Sequence, residues 1–236
     1  YDAAVTVDGP ELAQMAEACA RLRLYVVVGV IERDGGTLYC TAVYLGPQGR
    51  VIGKHRKLMP TALERLVWGF GDGSTLSAVD TPWGKLGAVI CWENYMPLAR
   101  FALYAQNLEV LVAPTWDCGE GWLASMRHIA REGGCWVVSL ATAMHSRDVP
   151  QDFPRRDTLF GADEWLCDGD AVVFEPFGGP VAGPLHQKQE VLYAGIDPAR
   201  AARARRSFDV AGHYARPDIF QLNVNRTVML PATFSE

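Results

Sequence analysis

The chain has 236 residues, 49% of them hydrophobic and 21% charged, which suits one large soluble α/β domain with a sizeable core. Its net charge of -5 gives no reason to propose nucleic acid or an anionic membrane surface as a partner. No apolar run reaches the length of a membrane span, and no signal-peptide pattern opens at Tyr1.

The first predicted helix starts at Gly9-Pro10-Glu11, capped by Asp8 or Gly9 with proline in its first turn. Leu12, Met15, Ala16, Cys19 and Leu22 then share one face at helical spacing. Tyr25 to Ile31 is a continuous apolar run, expected as a strand buried on both faces. Glu32 to Gly36 is a hairpin turn, Thr37 to Leu45 the return strand, and Gly46 to Gly49 a second turn into Val51-Ile52-Gly53, so a meander is expected here. Lys54-His55-Arg56-Lys57 follows. Such a basic run is usually a solvated face or an anion patch. Here it ends a strand before Pro60 with apolar residues on either side, which predicts at least one lysine pointing inward. A buried lysine needs a carboxylate partner, and Glu64 is the nearest candidate. Trp68 to Ser74 is rich in glycine but lacks the GxxxxGK[ST] spacing and a following helix pattern, which argues against phosphate binding.

Gly87-Ala88-Val89-Ile90-Cys91-Trp92-Glu93-Asn94 is the stretch around which the chain is organised. It predicts a buried strand, a sharp exit, and a helix opening at Pro97. A cysteine at that corner faces the first helical turn, where a helix N-terminus and a nearby cation favour thiolate. The same position also suits a small buried apolar residue. Leu98, Phe101, Ala102, Ala105 and Leu108 are the expected packing face of this helix. Glu109 to Trp116, Trp122 to Glu132 (stopped by Gly133-Gly134) and Cys135 to Leu140 continue as strand, helix and strand, the alternation of a layered α/β domain. Residues 145–169 are irregular and expected as binding loops or a lid. Asp170 to Pro176 and Val191 to Ile196 form a predicted second hairpin region, Ala199 to Arg206 a basic helix started by Asp197-Pro198, and 207–236 an extended C-terminal arm on a single 1–236 domain. Cys19, Cys40, Cys91, Cys118, Cys135 and Cys167 show no CxxC pair and no metal-ligand spacing, as expected of reduced thiols in a cytoplasmic protein.

GKHRKLMPTALERLVWGFGDGS and GAVICWENYMPLAR, with the tail FDVAGHYARPDIFQLNVN, resemble the nitrilase branch of the carbon–nitrogen hydrolase superfamily across essentially the whole chain. The resemblance implies a four-layer αββα sandwich. It also implies cofactor-free hydrolysis of an organic nitrile to the carboxylate and ammonia by a Glu-Lys-Cys triad with a second glutamate. On this sequence the nucleophile falls on Cys91, the lysine on Lys57 and the second glutamate on Glu64. The family's general-base glutamate sits in an N-terminal segment of F-P-E character, ahead of the point matching Tyr1, and these residues hold no such segment. The expectation is that it exists outside them, because losing a central strand would expose the sheet and its core.

Trp68, Trp92, Pro114, Thr115 and Trp116 are candidates to wall an apolar nitrile pocket, and the Trp92 N–H a candidate oxyanion donor. Plain core packing is the competing account of the tryptophans. Glu93 is expected to cap the helix start with Asn94 or to contact a neighbouring loop. His128 is expected as a structural hydrogen-bonder, and His55 and Arg56 in fold or interface. The resemblance further implies a dimer-based homo-oligomer, spiral or filamentous, assembled through the helix after Cys91 and the C-terminal arm. Two alternatives stay open: an amidase or cyanide-hydrolysing relative, and a non-catalytic assembly or binding fragment.

Overall fold

The computed structural model describes residues 1–230 and 232. Pro10 opens α1 (Pro10–Leu22), a position where its missing N–H leaves no gap, and Arg23 in the left-handed conformation ends it. The meander follows as β1 (Val26–Asp34), β2 (Thr37–Gly46) and β3 (Arg50–Arg56), antiparallel and in that order. The chain then runs through β4 (Val79–Thr81), β5 (Gly84–Ala88), α2 (Pro97–Tyr104), β6 (Leu108–Thr115), α3 (Glu120–Gly133) and β7 (Trp136–Ala141). It continues as β8 (Met144–His145), α4 (Arg156–Leu159), β9 (Trp165–Cys167), β10 (Gly169–Phe174), β11 (Pro180–His186) and α5 (Pro198–Ser207). The larger sheet has six strands in the order β11-β10-β7-β6-β5-β4. Its centre, β5-β6-β7, is parallel, because α2 and α3 supply the crossovers that parallel neighbours need.

Period-two alternation builds the layers. On β2, Val43 and Leu45 face α1 and pack on Leu12, Ala16 and Cys19, while Ala42 and Tyr44 face the other way onto Ala88, Ile90 and Val112 of the larger sheet. On β6, Leu111 and Ala113 turn outward to Leu103, Trp122, Met126 and Ile129 of α2 and α3. The order is therefore helix, sheet, sheet, helices: a four-layer αββα sandwich. The Tyr44 hydroxyl crosses the middle and accepts the Ala88 N–H at 2.9 Å, stitching the two sheets beside the strand that leads to Cys91.

Several elements differ from expectation. Among the described residues β1 lies at the edge of its sheet, bridged at Glu32 by Val5, and is not buried on both faces, with Ile31 48% exposed. The helix after Cys91 stops at Tyr104, and Leu108 belongs to β6. Its buried face is Ala99, Ala102, Leu103 and Tyr104, whereas Leu98 is exposed and lines, with Phe101 and Ala105, a groove against residues 210–224 of the C-terminal arm. Val191 to Ile196 is not a strand; β10 pairs with β11 instead. Within the irregular 145–169 segment, β8 and β9 form a two-stranded pair. The arm is held by a bond from the Met229 N–H to Asp72 (2.8 Å) and one from Arg226 to the Ser77 hydroxyl (2.6 Å). Its last part, residues 231 and 233–236, lies outside the described residues. Among the described residues no helix is long and apolar enough to cross a membrane.

Candidate active site

β3 carries the basic run, and the pleat divides it. Lys54 and Arg56 leave one face and converge on Glu32 of β1, which also accepts the Thr41 hydroxyl at 2.7 Å. Burial pulls the Glu32 carboxyl up, but the bonds from Arg56, Lys54 and Thr41 outweigh it and hold the group at about 2. His55 and Lys57 leave the opposite face, toward the larger sheet, and each is 1% exposed.

Lys57 lies just past the end of β3. Its Nζ donates to Glu64 at 2.6 Å and to the Thr61 hydroxyl at 3.2 Å. The same Glu64 oxygen accepts the Thr61 N–H at 2.5 Å, so the turn Ala62–Leu66 and the lysine are fixed by one carboxylate. The Lys57 backbone is pinned from both sides: its N–H donates to the Cys40 carbonyl and its carbonyl accepts the Gly71 N–H, each at 2.8 Å. Gly71 has to be glycine, since a Cβ there would lie 2.3 Å from the Arg56 carbonyl oxygen.

After β5, Val89 and Ile90 lead into the single turn Cys91–Tyr95. Cys91 has φ of 53°, a left-handed conformation that a residue with a Cβ adopts at a cost on the order of 1 kcal/mol. Its neighbours impose it. The Asn94 amide donates to the carbonyls of Val89 and Cys91, both at 2.8 Å, and the Asn94 carbonyl is held by buried Arg100. The Glu93 carboxylate turns back into the interior, where it accepts the Ile90 N–H at 2.7 Å, the Leu58 N–H at 2.6 Å and His55 Nε2 at 3.1 Å. Glu93 thus contacts a neighbouring loop, one of the two roles expected of it.

A cavity of about 300 Å³ opens between the sheets at this point. Cys91, Lys57, Glu64, Trp68, Pro114, Thr115 and Trp116 all line it, so residues spread from position 57 to position 116 meet in one cleft. Trp92 does not. Its indole is 52% exposed, stacks edge-on against Tyr95 and donates to Asp117 at 2.8 Å, bracing the loop after Trp116 rather than walling the cavity. Reading by sequence missed Val30, Ile31, Cys40 and Thr41, which line the same cleft from β1 and β2. The signal was available in the hairpin: the tight turn at Gly35-Gly36 sets Asp34 opposite Thr37, and the register carried onward sets Thr41 opposite Arg56, next to Lys57. Cys40 is a second thiol here, but burial pushes it up to about 12, against the pull of Lys57, so it stays protonated at neutral pH. His128 is a surface residue bonded to Glu132 at 3.1 Å. Among the described residues no group of three or more His, Cys, Asp or Glu is arranged to hold a metal ion.

A cysteine on a strained strand-to-turn corner, in one cleft with a buried lysine and its glutamate partner and between the sheets of an αββα sandwich, matches the arrangement that the sequence resemblance implies for the carbon–nitrogen hydrolase class. Comparison with known proteins agrees. Residues 1–206 match the carbon-nitrogen hydrolase family, a match that stops where the arm begins. The chain is 48% identical over 239 residues to a bifunctional nitrilase/nitrile hydratase of Lupinus angustifolius, covering 100% of this chain and 68% of the relative. It is 52% identical over 222 residues to an aliphatic nitrilase of Sinorhizobium fredii (strain HH103), covering 94% and 71%. In fold it is similar to the carbon-nitrogen hydrolase from Helicobacter pylori G27, with a TM-score of 0.74 at 22% identity over 89% of this chain and 74% of that one. The chain belongs to the carbon-nitrogen hydrolase family and, within it, to the nitrilase branch.

Proposed function

We propose that the protein hydrolyses an organic nitrile to the carboxylic acid and ammonia, with Cys91 as nucleophile, Lys57 as the cation that stabilises it, and Glu64 as the carboxylate that holds Lys57. The observation that carries this is the meeting of Cys91 with the Lys57–Glu64 pair in one cavity walled by Trp68, Pro114, Thr115 and Trp116. A thiolate is a soft nucleophile suited to the nitrile carbon. Attack forms the C–S bond, one C–N π pair moves to nitrogen, and that nitrogen takes a proton, giving a thioimidate. In this reading the Lys57 ammonium stabilises both the thiolate and the developing charge on nitrogen, and the backbone N–H of Trp92, whose indole lies outside the cavity, is the candidate oxyanion donor. Water then adds to the carbon, ammonia leaves and a thioester remains. A second water breaks the C–S bond and releases the acid. Each water needs a general base; in the family that is the glutamate of the N-terminal segment. Expulsion of the thiol before ammonia would release an amide instead, and the name of the Lupinus angustifolius relative supports measuring both products.

Ammonia and amide release from a panel of aliphatic, aromatic and arylacetonitriles, with Cys91→Ala in parallel, tests this. Release from the parent chain that falls at least 1000-fold in the variant is expected; a folded, soluble parent chain that turns over no nitrile or amide contradicts it. The assembly, by the same resemblance, is a dimer-based homo-oligomer extending to spirals, and the six unpaired cysteines support placing it in the cytoplasm. The exposed apolar groove between α2 and the arm supports the oligomer, and sedimentation showing only monomer at micromolar concentration contradicts it. The organisation proposed is a single domain with 207–236 as its arm.

A further inference from the structure

The buried Glu93–His55 pair makes no contact with the cavity, yet its bonds end on both halves of the proposed machinery. One Glu93 oxygen accepts the N–H of Leu58, the residue after Lys57, at 2.6 Å. The other accepts the N–H of Ile90, the residue before Cys91, at 2.7 Å. His55 Nε2 lies 3.1 Å from each oxygen, centred on the carboxylate, while its Nδ1 is 3.3 Å from the Thr75 carbonyl. Both side chains are within 1% of full burial. A carboxylate so deeply buried needs hydrogen bonds to both oxygens, and here the donors come from two places, His55 and Leu58 at the end of β3 and Ile90 past the end of β5.

We infer that Glu93 is a positioning residue that sets the spacing between the Cys91 sulfur and the Lys57 ammonium, with His55 holding its carboxylate in the bridging pose. The inference rests on the proposed roles of Cys91 and Lys57. Each backbone N–H that Glu93 grips is one residue from a reacting side chain, so a change in the bridge moves the two groups relative to each other. A misplacement of about 1 Å in such a site lowers turnover about 100-fold. The amide of glutamine cannot replace the bridge. It has one acceptor oxygen, so its NH2 meets either the Leu58 or the Ile90 N–H, donor against donor.

The test is Glu93→Gln, with His55→Gln as the milder change that leaves both backbone bonds a partner. Two readouts are taken on folded protein: kcat and KM on a nitrile, and the pH profile of Cys91 alkylation by iodoacetamide, followed by mass spectrometry of the Cys91 peptide. The titratable groups lining the cavity with the thiol are Lys57, Glu64 and Cys40, unchanged by either substitution. Glu93 and His55 are packed behind the turn, and loss of the Glu93 negative charge alone moves a neighbouring thiol's profile to lower pH, opposite in sign to the shift expected from a displaced Lys57. For Glu93→Gln, kcat is expected to fall at least 10-fold with KM within 3-fold, and the alkylation profile to move to higher pH, with a rate at pH 7 at least 10-fold lower. His55→Gln is expected to show the same pattern at roughly a third of the size. A wild-type alkylation profile in folded Glu93→Gln, with activity lost only in proportion to unfolded protein, overturns the inference. Should Glu93→Gln not fold, a wild-type profile and kcat in His55→Gln overturn it. Alkylation needs no nitrile. If the parent chain turns over no nitrile but the profile still moves, the positioning role stands and the proposed reaction falls.

Discussion

Lys57 is a charged side chain removed from water, and one carboxylate holds it. Burying an ammonium without a partner costs several kcal/mol, and Glu64 is the carboxylate that offsets that cost here. Glu64 also ties down its own turn through the Thr61 N–H. Replacing it with glutamine keeps the shape and removes the charge. Glu64→Gln is therefore expected to lower kcat by about 10- to 100-fold, the scale typical of groups that orient a primary ligand, with a smaller effect on KM. Steady-state kinetics on a turned-over nitrile check this, and an unchanged kcat would remove Glu64 from the machinery. The inward lysine and its partner were legible in the sequence, because a basic run flanked by apolar residues has to divide between two faces. Which lysine points inward was not legible from the residues alone. That depends on where the pleat of β3 falls, which its pairing with β2 fixes.

At the scale of elements, β3 places its neighbouring residues on two opposite tasks. Its Lys54 and Arg56 lock β1 to β3 through Glu32, while His55 turns to the opposite face and bonds buried Glu93, and Lys57, just beyond the strand end, reaches the cleft. The Glu32 carboxyl sits at about 2 in the fold, against an ordinary value of 4.5. A depressed carboxyl binds fewer protons folded than unfolded between those values, so its stabilisation is complete above pH 4.5 and lost as pH falls through about 2. Removing one member of a buried ionic cluster costs about 3 kcal/mol. Glu32→Gln should therefore melt several degrees below the parent chain at pH 7, and the gap should narrow steadily between pH 4.5 and 3. Calorimetry or circular dichroism at a series of pH values checks this; a gap independent of pH contradicts the assignment. Hydrophobic period and turn chemistry announced the meander, but not that β1 is an edge strand or that α2 buries Ala99 and Leu103 rather than Leu98. Both are decided by which neighbouring element arrives, a tertiary matter that local pattern does not contain.

Across the whole molecule, two sheets brought face to face by Tyr44, Ala42, Ala88 and Val112 deliver the end of β3 and the exit of β5 to one cleft. That convergence explains why the proposed nucleophile and lysine could be named from motifs while their surroundings could not. Val30, Ile31, Cys40 and Thr41 carry no motif of their own and enter the cleft only by register. Trp92 sits beside Cys91 in sequence, yet the left-handed turn at Cys91 sends its indole outward to Asp117. The proposed reaction runs through a covalent bond from Cys91 to the substrate carbon. The most direct measurement is peptide mass spectrometry of protein quenched in acid during nitrile turnover. An acyl or imidate mass is expected on the Cys91 peptide, rising within the first turnovers and absent from the peptides carrying Cys40 and Cys118. Turnover with no adduct on Cys91, or an adduct on another cysteine, would contradict it.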